Sequence, residues 1–466
     1  MPEKKSYPLT AFEKYMILDD HPGYPMVVLM EWAFLGKINR EKLSTAYNRV
    51  IQNEPLFLTK LEKIKKKYYW VEQDSPSIEL LFETGQGSVQ AEEGTYFVPS
   101  ISPFEANGKI IVREYQDGVL FLVYAHHSVG DGIGVNEFFS TWLKEYDLLL
   151  HDKETPSKEN AYPDVSLFSH REEPHFTPPE KVSFWKSLRD TVSGIAEWFC
   201  RRPFPLIEYK SLDSPPALQS PMYWRHISED FFLKYKSSAK SCGVSVNSMM
   251  MRDMYITLTK WFEQRYPDGK SLYSDRRWLR MLVPMNLRTD FHQKMSCANI
   301  LGYIFMNRKP NQCNRSAEFL SKIQSDMTFY RTWNVGAAFV DGIHIVDSIP
   351  GLLERITTDR YCHSTVVLSS VGNLCKSSAQ EEFRKNDDIH IEGEFPLTLI
   401  RMLGAPPTRP HTPLSFGVVQ HKNDMFISCR YDSNVMDENV MKEFFDLYIL
   451  EMTQSLERPV DKDGNR

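Results

Sequence analysis

Residues Val119 to Ala125 form an uninterrupted apolar run. The chain leaves it through His126-His127-Ser128-Val129-Gly130-Asp131-Gly132 and passes directly into a helical pattern. This junction constrains the fold more than any other stretch. The run reads as a strand. Beyond it, Val135, Phe138, Phe139, Trp142, Leu143, Tyr146, Leu149 and Leu150 fall on one helical stripe, which must pack on a core. A strand that turns straight into a helix places its last side chains where proteins usually hold catalytic groups. Two histidines and an aspartate occupy that turn, spaced HHxxxDG.

Those residue types suit acid–base work. A histidine is the natural general base at neutral pH, because its unperturbed pKa lies near ~6.5. Adjacent residues leaving a strand point to opposite sides, so only one ring can face a given substrate. We assign the base to His127 and a structural role to His126. Asp131 can hold the loop through backbone N–H groups or a distant arginine. Gly132 allows an unusual backbone conformation or the close approach of a substrate. His126, His127 and Asp131 make a poor metal site, since the two imidazoles diverge and no second His/Cys cluster is near in sequence. No metal is expected. No G-x-S-x-G elbow is present, which argues against a serine hydrolase.

Composition narrows the class further. The chain has 466 residues, enough for about three domains or two large ones. It is 42% hydrophobic and 25% charged, as in ordinary globular proteins. A net charge of -6 argues against a nucleic-acid partner. No targeting signal is visible, and Thr10-Ala11-Phe12-Glu13 reads as a capping box. No apolar run approaches the ~18 residues of a membrane span. The 7 cysteines lack a CxxC pair, which suits reduced thiols and a cytoplasmic location.

Strand-like and helix-like patterns alternate in both halves. Val27 to Leu35 reads as a strand and Glu41 to Ile51 as a helix. Lys63 to Lys67 reads as a solvated hairpin turn, with contact to a CoA phosphate or an anionic surface as the second reading. Prolines 156, 163, 174, 178 and 179 mark a linker. Phe184 to Phe199 then forms an amphipathic helix ending in Arg201-Arg202-Pro203. A buried or inter-domain helix is the preferred reading, and peripheral membrane contact the second. Ser245 is the expected cap of a helix whose Met249, Met250, Met251 and Met254 read as adaptable core. Arg280 to Met285 and Thr365 to Val371 read as strands. Leu414 to Val419 and Met425 to Tyr431 read as a hairpin, and Met436 to Leu456 as a closing helix. The division expected is 1–165, 166–215 as linker and helix, and 216–466.

HHSVGDG resembles the HHxxxDG motif of the superfamily built like chloramphenicol acetyltransferase, which includes alcohol acetyltransferases, polyketide-associated acyltransferases and condensation domains. Four weaker segments are similar to that family in order and spacing. They are Tyr7-Pro8-Leu9-Thr10, Gly243-Val244-Ser245-Val246-Asn247, Val283-Pro284-Met285-Asn286-Leu287-Arg288 and Leu368-Ser369-Ser370-Val371-Gly372. The resemblance implies an α/β fold of two similar subdomains, each a mixed sheet flanked by helices, with an active-site tunnel at their interface. It implies His127 as the base and a structural salt bridge between Asp131 and Arg288. Two departures stand out. The plant enzymes' D-F-G-W-G is absent, its nearest counterpart being Leu414-Ser415-Phe416-Gly417. The family's S-N-x-G asparagine is Ser370. A substitute oxyanion donor is then expected among Asn286, Asn299, Ser369, Ser370 and Asn373.

The activity implied is acyl transfer from acyl-CoA to a small-molecule alcohol by direct attack. Acyl-CoA is then a substrate, and no cofactor is required. Two alternatives stay open. One is a free-standing condensation-type enzyme fed by an acyl carrier protein, with an amine or alcohol acceptor. The other is a non-catalytic binding protein of the same fold.

Overall fold

The apolar run is the strand Gly118–His126, buried along its whole length. Its alternating side chains feed two cores. Val119, Phe121, Val123 and Ala125 pack on Phe138, Phe139 and Trp142 of the helix Gly132–Leu150. Leu120, Leu122 and Tyr124 point the other way, onto Met222, Trp224 and Phe426 of a second sheet. A strand covered on both faces has no polar face to alternate with, so it reads as a continuous hydrophobic run. Each large side chain so buried stabilises the fold by about 1.5–3 kcal/mol.

The computed structural model describes residues 4–65, 67–153, 162–172, 200–207, 219–265, 277–358, 360–374, 384–385 and 388–460. Two seven-stranded mixed sheets stand face to face. Hydrogen-bonded neighbours in the first are Arg384–Lys385, Asp388–Ile391, Leu397–Ala405, Val27–Gly36, Gly118–His126, Gly108–Glu114 and Ile78–Thr84. In the second they are Leu301–Arg308, Leu279–Asn286, Val366–Asn373, Leu414–His421, Asp424–Tyr431, Gln219–Ile227 and Glu93–Pro99. The helices Arg40–Val50 and Gly132–Leu150 cover the outer face of the first sheet. Glu229–Ser241, Val246–Arg265 and Glu438–Glu457 pack on the second. This is the two-sheet, helix-flanked α/β architecture expected.

The division at 165 and 216 does not follow the sheets, however. Glu93–Pro99, from the first half, is the edge strand of the second sheet and pairs with Gln219–Ile227. Leu397–Ala405, from the second half, pairs antiparallel with Val27–Gly36 in the first. Strand periodicity carries no information about which sheet a strand joins, so the sequence could not place either exchange.

Thr10 and Glu13 form the capping box of the helix Ala11–Leu18. The hydroxyl of Ser245 accepts from the Ser248 N–H at 3.1 Å. Met249, Met250, Met251 and Met254 are fully buried. At the basic run, Thr59–Ile64 and Lys67–Glu72 pair antiparallel as a hairpin, with Lys65 at φ 60°. The amphipathic segment Phe184 to Phe199 and much of the proline-rich linker lie outside the described residues. Among the described residues no helix is long and apolar enough to cross a membrane, and no cluster of three or more metal-ligating side chains occurs. The six described cysteines are free.

Candidate active site

The HHxxxDG spacing follows from how the strand ends and the helix begins. The N–H of His127 donates to the Met26 carbonyl at 2.7 Å, one step beyond the last ladder pair, Val27 with His126. The N–H of Val129 then donates to the His126 carbonyl at 3.0 Å, closing a turn. Asp131 is the N-cap of the helix Gly132–Leu150, its Oδ1 accepting from the Gly134 N–H at 2.8 Å. Gly130 is the glycine this turn requires, because a Cβ there would lie 2.4 Å from the Cys297 sulfur. Gly132 has no such constraint: a Cβ would meet only Met30 Sδ at 3.5 Å, and its φ is not positive. The special backbone expected at Gly132 is absent. Its position on the cavity wall allows close approach of a ligand.

His126 and His127 have different environments. His126 is fully buried, and its Nδ1 accepts from the Ser128 N–H at 3.2 Å and lies 2.7 Å from the Ser128 hydroxyl. An Nδ1 that accepts from a backbone N–H cannot carry a proton, so the proton sits on Nε2. That nitrogen lies 3.7 Å from the Asp20 carboxylate, too far for a hydrogen bond. The ring is not on the cavity wall. His126, named beside the base as its structural neighbour, fixes the turn.

His127 lines a cavity of about 280 Å³ between the two sheets. The first sheet contributes Val28, Met30 and Gly404 to its wall; the second contributes Leu282, Val367, Ser369 and Val418. The side-chain amide of Asn299 grips His127 at two points. Its Nδ2 donates to the His127 carbonyl at 2.5 Å, and its Oδ1 lies 3.1 Å from the ring Nδ1. A carbonyl can only accept, so the amide orientation is fixed. Its Oδ1 can also only accept, so the Nδ1 of His127 must carry the proton. The lone pair is thereby left on Nε2, the nitrogen free to meet a ligand. Burial depresses the His127 pKa below its usual 6.5, partly offset by nearby Asp131 and by the Asn299 bond. The ring is therefore a neutral base at neutral pH.

Asp131 reaches past its cap to the second half of the chain. Its Oδ2 accepts from Arg288 Nη1 at 2.8 Å and from the Ile300 N–H at 2.9 Å. Burial alone would raise this carboxyl, but the Arg288 guanidinium and the two backbone donors hold it below the ordinary value. Arg288 Nη2 also donates to the Ala298 carbonyl at 3.1 Å. The N–H of Cys297 donates to buried Glu54 at 2.6 Å. Cys297 to Ile300 thus forms a strap across the histidine turn. Sequence reasoning missed this strap. Its only signal was an unexplained polar residue, Asn299, just before an apolar strand.

The five candidate oxyanion donors separate by position. Ser369, Ser370 and Asn286 line the cavity. Asn286 Oδ1 accepts from the Arg288 N–H at 3.0 Å, which leaves its amide donors for a ligand. Asn299 is committed to His127. Asn373 lies at the end of its strand, away from the cavity wall.

The tautomer argument gives a testable pH dependence. Asn299→Asp keeps an acceptor at Nδ1 but adds negative charge, which stabilises the imidazolium. The acid limb of the kcat/KM profile should then move to higher pH, from a wild-type position below about 6.5. Asn299→Ala should lower kcat by about tenfold to a hundredfold, because the ring loses its fixed tautomer but not its base. An unmoved acid limb in the aspartate variant would contradict the assignment.

No protein-family model matches the sequence, and no curated protein matches it significantly. Solved structures match by fold. The first condensation domain of the calcium-dependent antibiotic synthetase superposes with a TM-score of 0.69 at 11% identity, over 98% of this chain and 97% of that one. SgcC5 from Streptomyces globisporus gives 0.67 at 13% identity, over 97% and 99%. The starter condensation domain of rhizomide synthetase RzmA, solved with C8-CoA and Leu-SNAC, gives 0.66 at 9% identity, over 97% and 95%. The four-domain nonribosomal peptide synthetase holo-AB3403 also matches across 99% of this chain, which spans 34% of that longer protein. With its two facing sheets and the histidine turn between them, this chain has the chloramphenicol-acetyltransferase-like fold of the condensation domains.

Proposed function

We propose that this chain is a condensation-type acyltransferase that moves an acyl group from acyl-CoA to a small-molecule hydroxyl. The observation that carries the reading is the double grip of Asn299 on His127, which presents an unprotonated Nε2 to an inter-sheet cavity. In the proposed step, Nε2 takes the proton of the acceptor hydroxyl as its oxygen attacks the thioester carbonyl. The tetrahedral oxyanion accepts hydrogen bonds from donors among Ser369, Ser370 and Asn286. Collapse breaks the carbon–sulfur bond, and the departing thiolate recovers the proton from Nε2.

A second reading keeps the chemistry and changes the donor to a thioester on an acyl carrier protein. Its support is that several of the matching chains are domains of multidomain synthetases. The RzmA mutant, solved with C8-CoA and Leu-SNAC, is equally compatible with a CoA donor. Thiol release should be measured with acyl-CoA and acyl-carrier donors side by side, against alcohol and amine acceptors. We expect acceptor-dependent release from acyl-CoA. Release from the carrier donor alone would select the second reading. No release from either, with no CoA-dependent thermal shift, would leave a binding protein of this fold.

A further inference from the structure

One buried hydroxyl, on a residue of the cavity wall, makes no hydrogen bond among the described residues. It is Oγ1 of Thr408, which lines the inter-sheet cavity and is 1% exposed. The sequence around it explains why. Pro406 and Pro407 precede it and have no N–H to offer. Arg409 follows it but is fully engaged. Its Nε and Nη2 grip Asp19 at 3.1 and 2.7 Å, and its Nη1 donates to the Tyr361 carbonyl at 2.9 Å. Both oxygens of Asp19 are thereby occupied. Buried polar atoms are nearly always paired, so an unpaired hydroxyl on a ligand cavity points to a partner on the ligand.

Much of the remaining wall is apolar, with Met26, Val28, Met30, Leu282, Val367 and Val418 on it. A plain alkyl chain fills such a wall but leaves the hydroxyl unpaired. A chain bearing one oxygen does both. We propose that Thr408 is a specificity residue, and that it hydrogen-bonds a hydroxyl or carbonyl oxygen carried along an aliphatic substrate chain. The inference rests on the acyltransferase reading for which substrate bears that chain, donor or acceptor, but not for the binding itself.

The test compares wild type with Thr408→Val, which keeps the shape and removes the oxygen. Binding is measured by calorimetry, and transfer by thiol release. The probes are octanoyl-CoA against 3-hydroxyoctanoyl-CoA and 3-oxooctanoyl-CoA, and octan-1-ol against octane-1,3-diol. Wild type should prefer the oxygenated member of one series by about fivefold to tenfold, and the variant should bind both members alike. Which series shows the preference identifies donor or acceptor. The melting temperature of the variant should hold or rise, since an unpaired buried hydroxyl is being removed. A fall in melting temperature would mean a structural hydroxyl and overturn the proposal. So would a wild type that shows no preference or binds none of the probes, or a variant that loses affinity equally for both members. A binding preference without thiol release in any arm would refute the transferase reading and leave the Thr408 assignment standing.

Discussion

His127→Ala should lower kcat/KM by about 10²–10⁴-fold, the contribution of a positioned general base, while the protein still melts cooperatively. The ring already faces a cavity, so its removal enlarges open space and creates no new sealed void. The main structural loss is the donor to Asn299 Oδ1, a single hydrogen bond worth about 1 kcal/mol. Activity and stability should therefore separate cleanly in this variant. Thiol-release kinetics and a thermal melt on the same preparation check both halves. Near-normal turnover would show that another group takes the proton and would remove the basis of the proposed mechanism.

Breaking the Asp131–Arg288 pair should be costly to the fold. Asp131 is 3% exposed, so Arg288→Ala strands a buried charge beside two backbone donors. Removing one partner of such a pair typically costs about 3–5 kcal/mol. Asp131→Asn keeps a cap oxygen but leaves the guanidinium without its anion. The double variant should be little worse than the poorer single variant, because each change removes the same interaction. Chemical denaturation of the four proteins in the cycle measures this coupling directly. Additive losses would mean that the contact at 2.8 Å contributes little.

Much of the site's chemistry was legible in the sequence, because it is local. The strand, the turn, the capping aspartate and the following helix occupy one stretch from Gly118 to Leu150, and each has its own residue signature. The fold class followed from the HHxxxDG resemblance together with the alternating patterns. What could not be read was whatever depends on distant segments meeting. Asn299 was expected among the oxyanion donors, yet it lies beside His127 because a strap from the second half crosses the turn. Gly132 drew attention through the motif, whereas the glycine that sterics require is Gly130, whose constraint comes from Cys297. Ser370 stands where the family pattern has asparagine, and no sequence feature says which neighbour replaces it. Thr408 has no motif at all. It gains meaning only when the cavity around it is known.

The exchange of strands between the sheets bears on how this protein acquires its structure. Val27–Gly36 lacks one neighbour until Leu397–Ala405 has emerged from the ribosome, more than three hundred residues later. Until then, the edge of an apolar strand stays open to unwanted pairing. Contacts this remote in sequence also make folding slow, since the intervening loop must close before any ladder bond forms. The nascent first half is therefore the stage at which this chain is most exposed to aggregation, and the stage at which a chaperone would matter most.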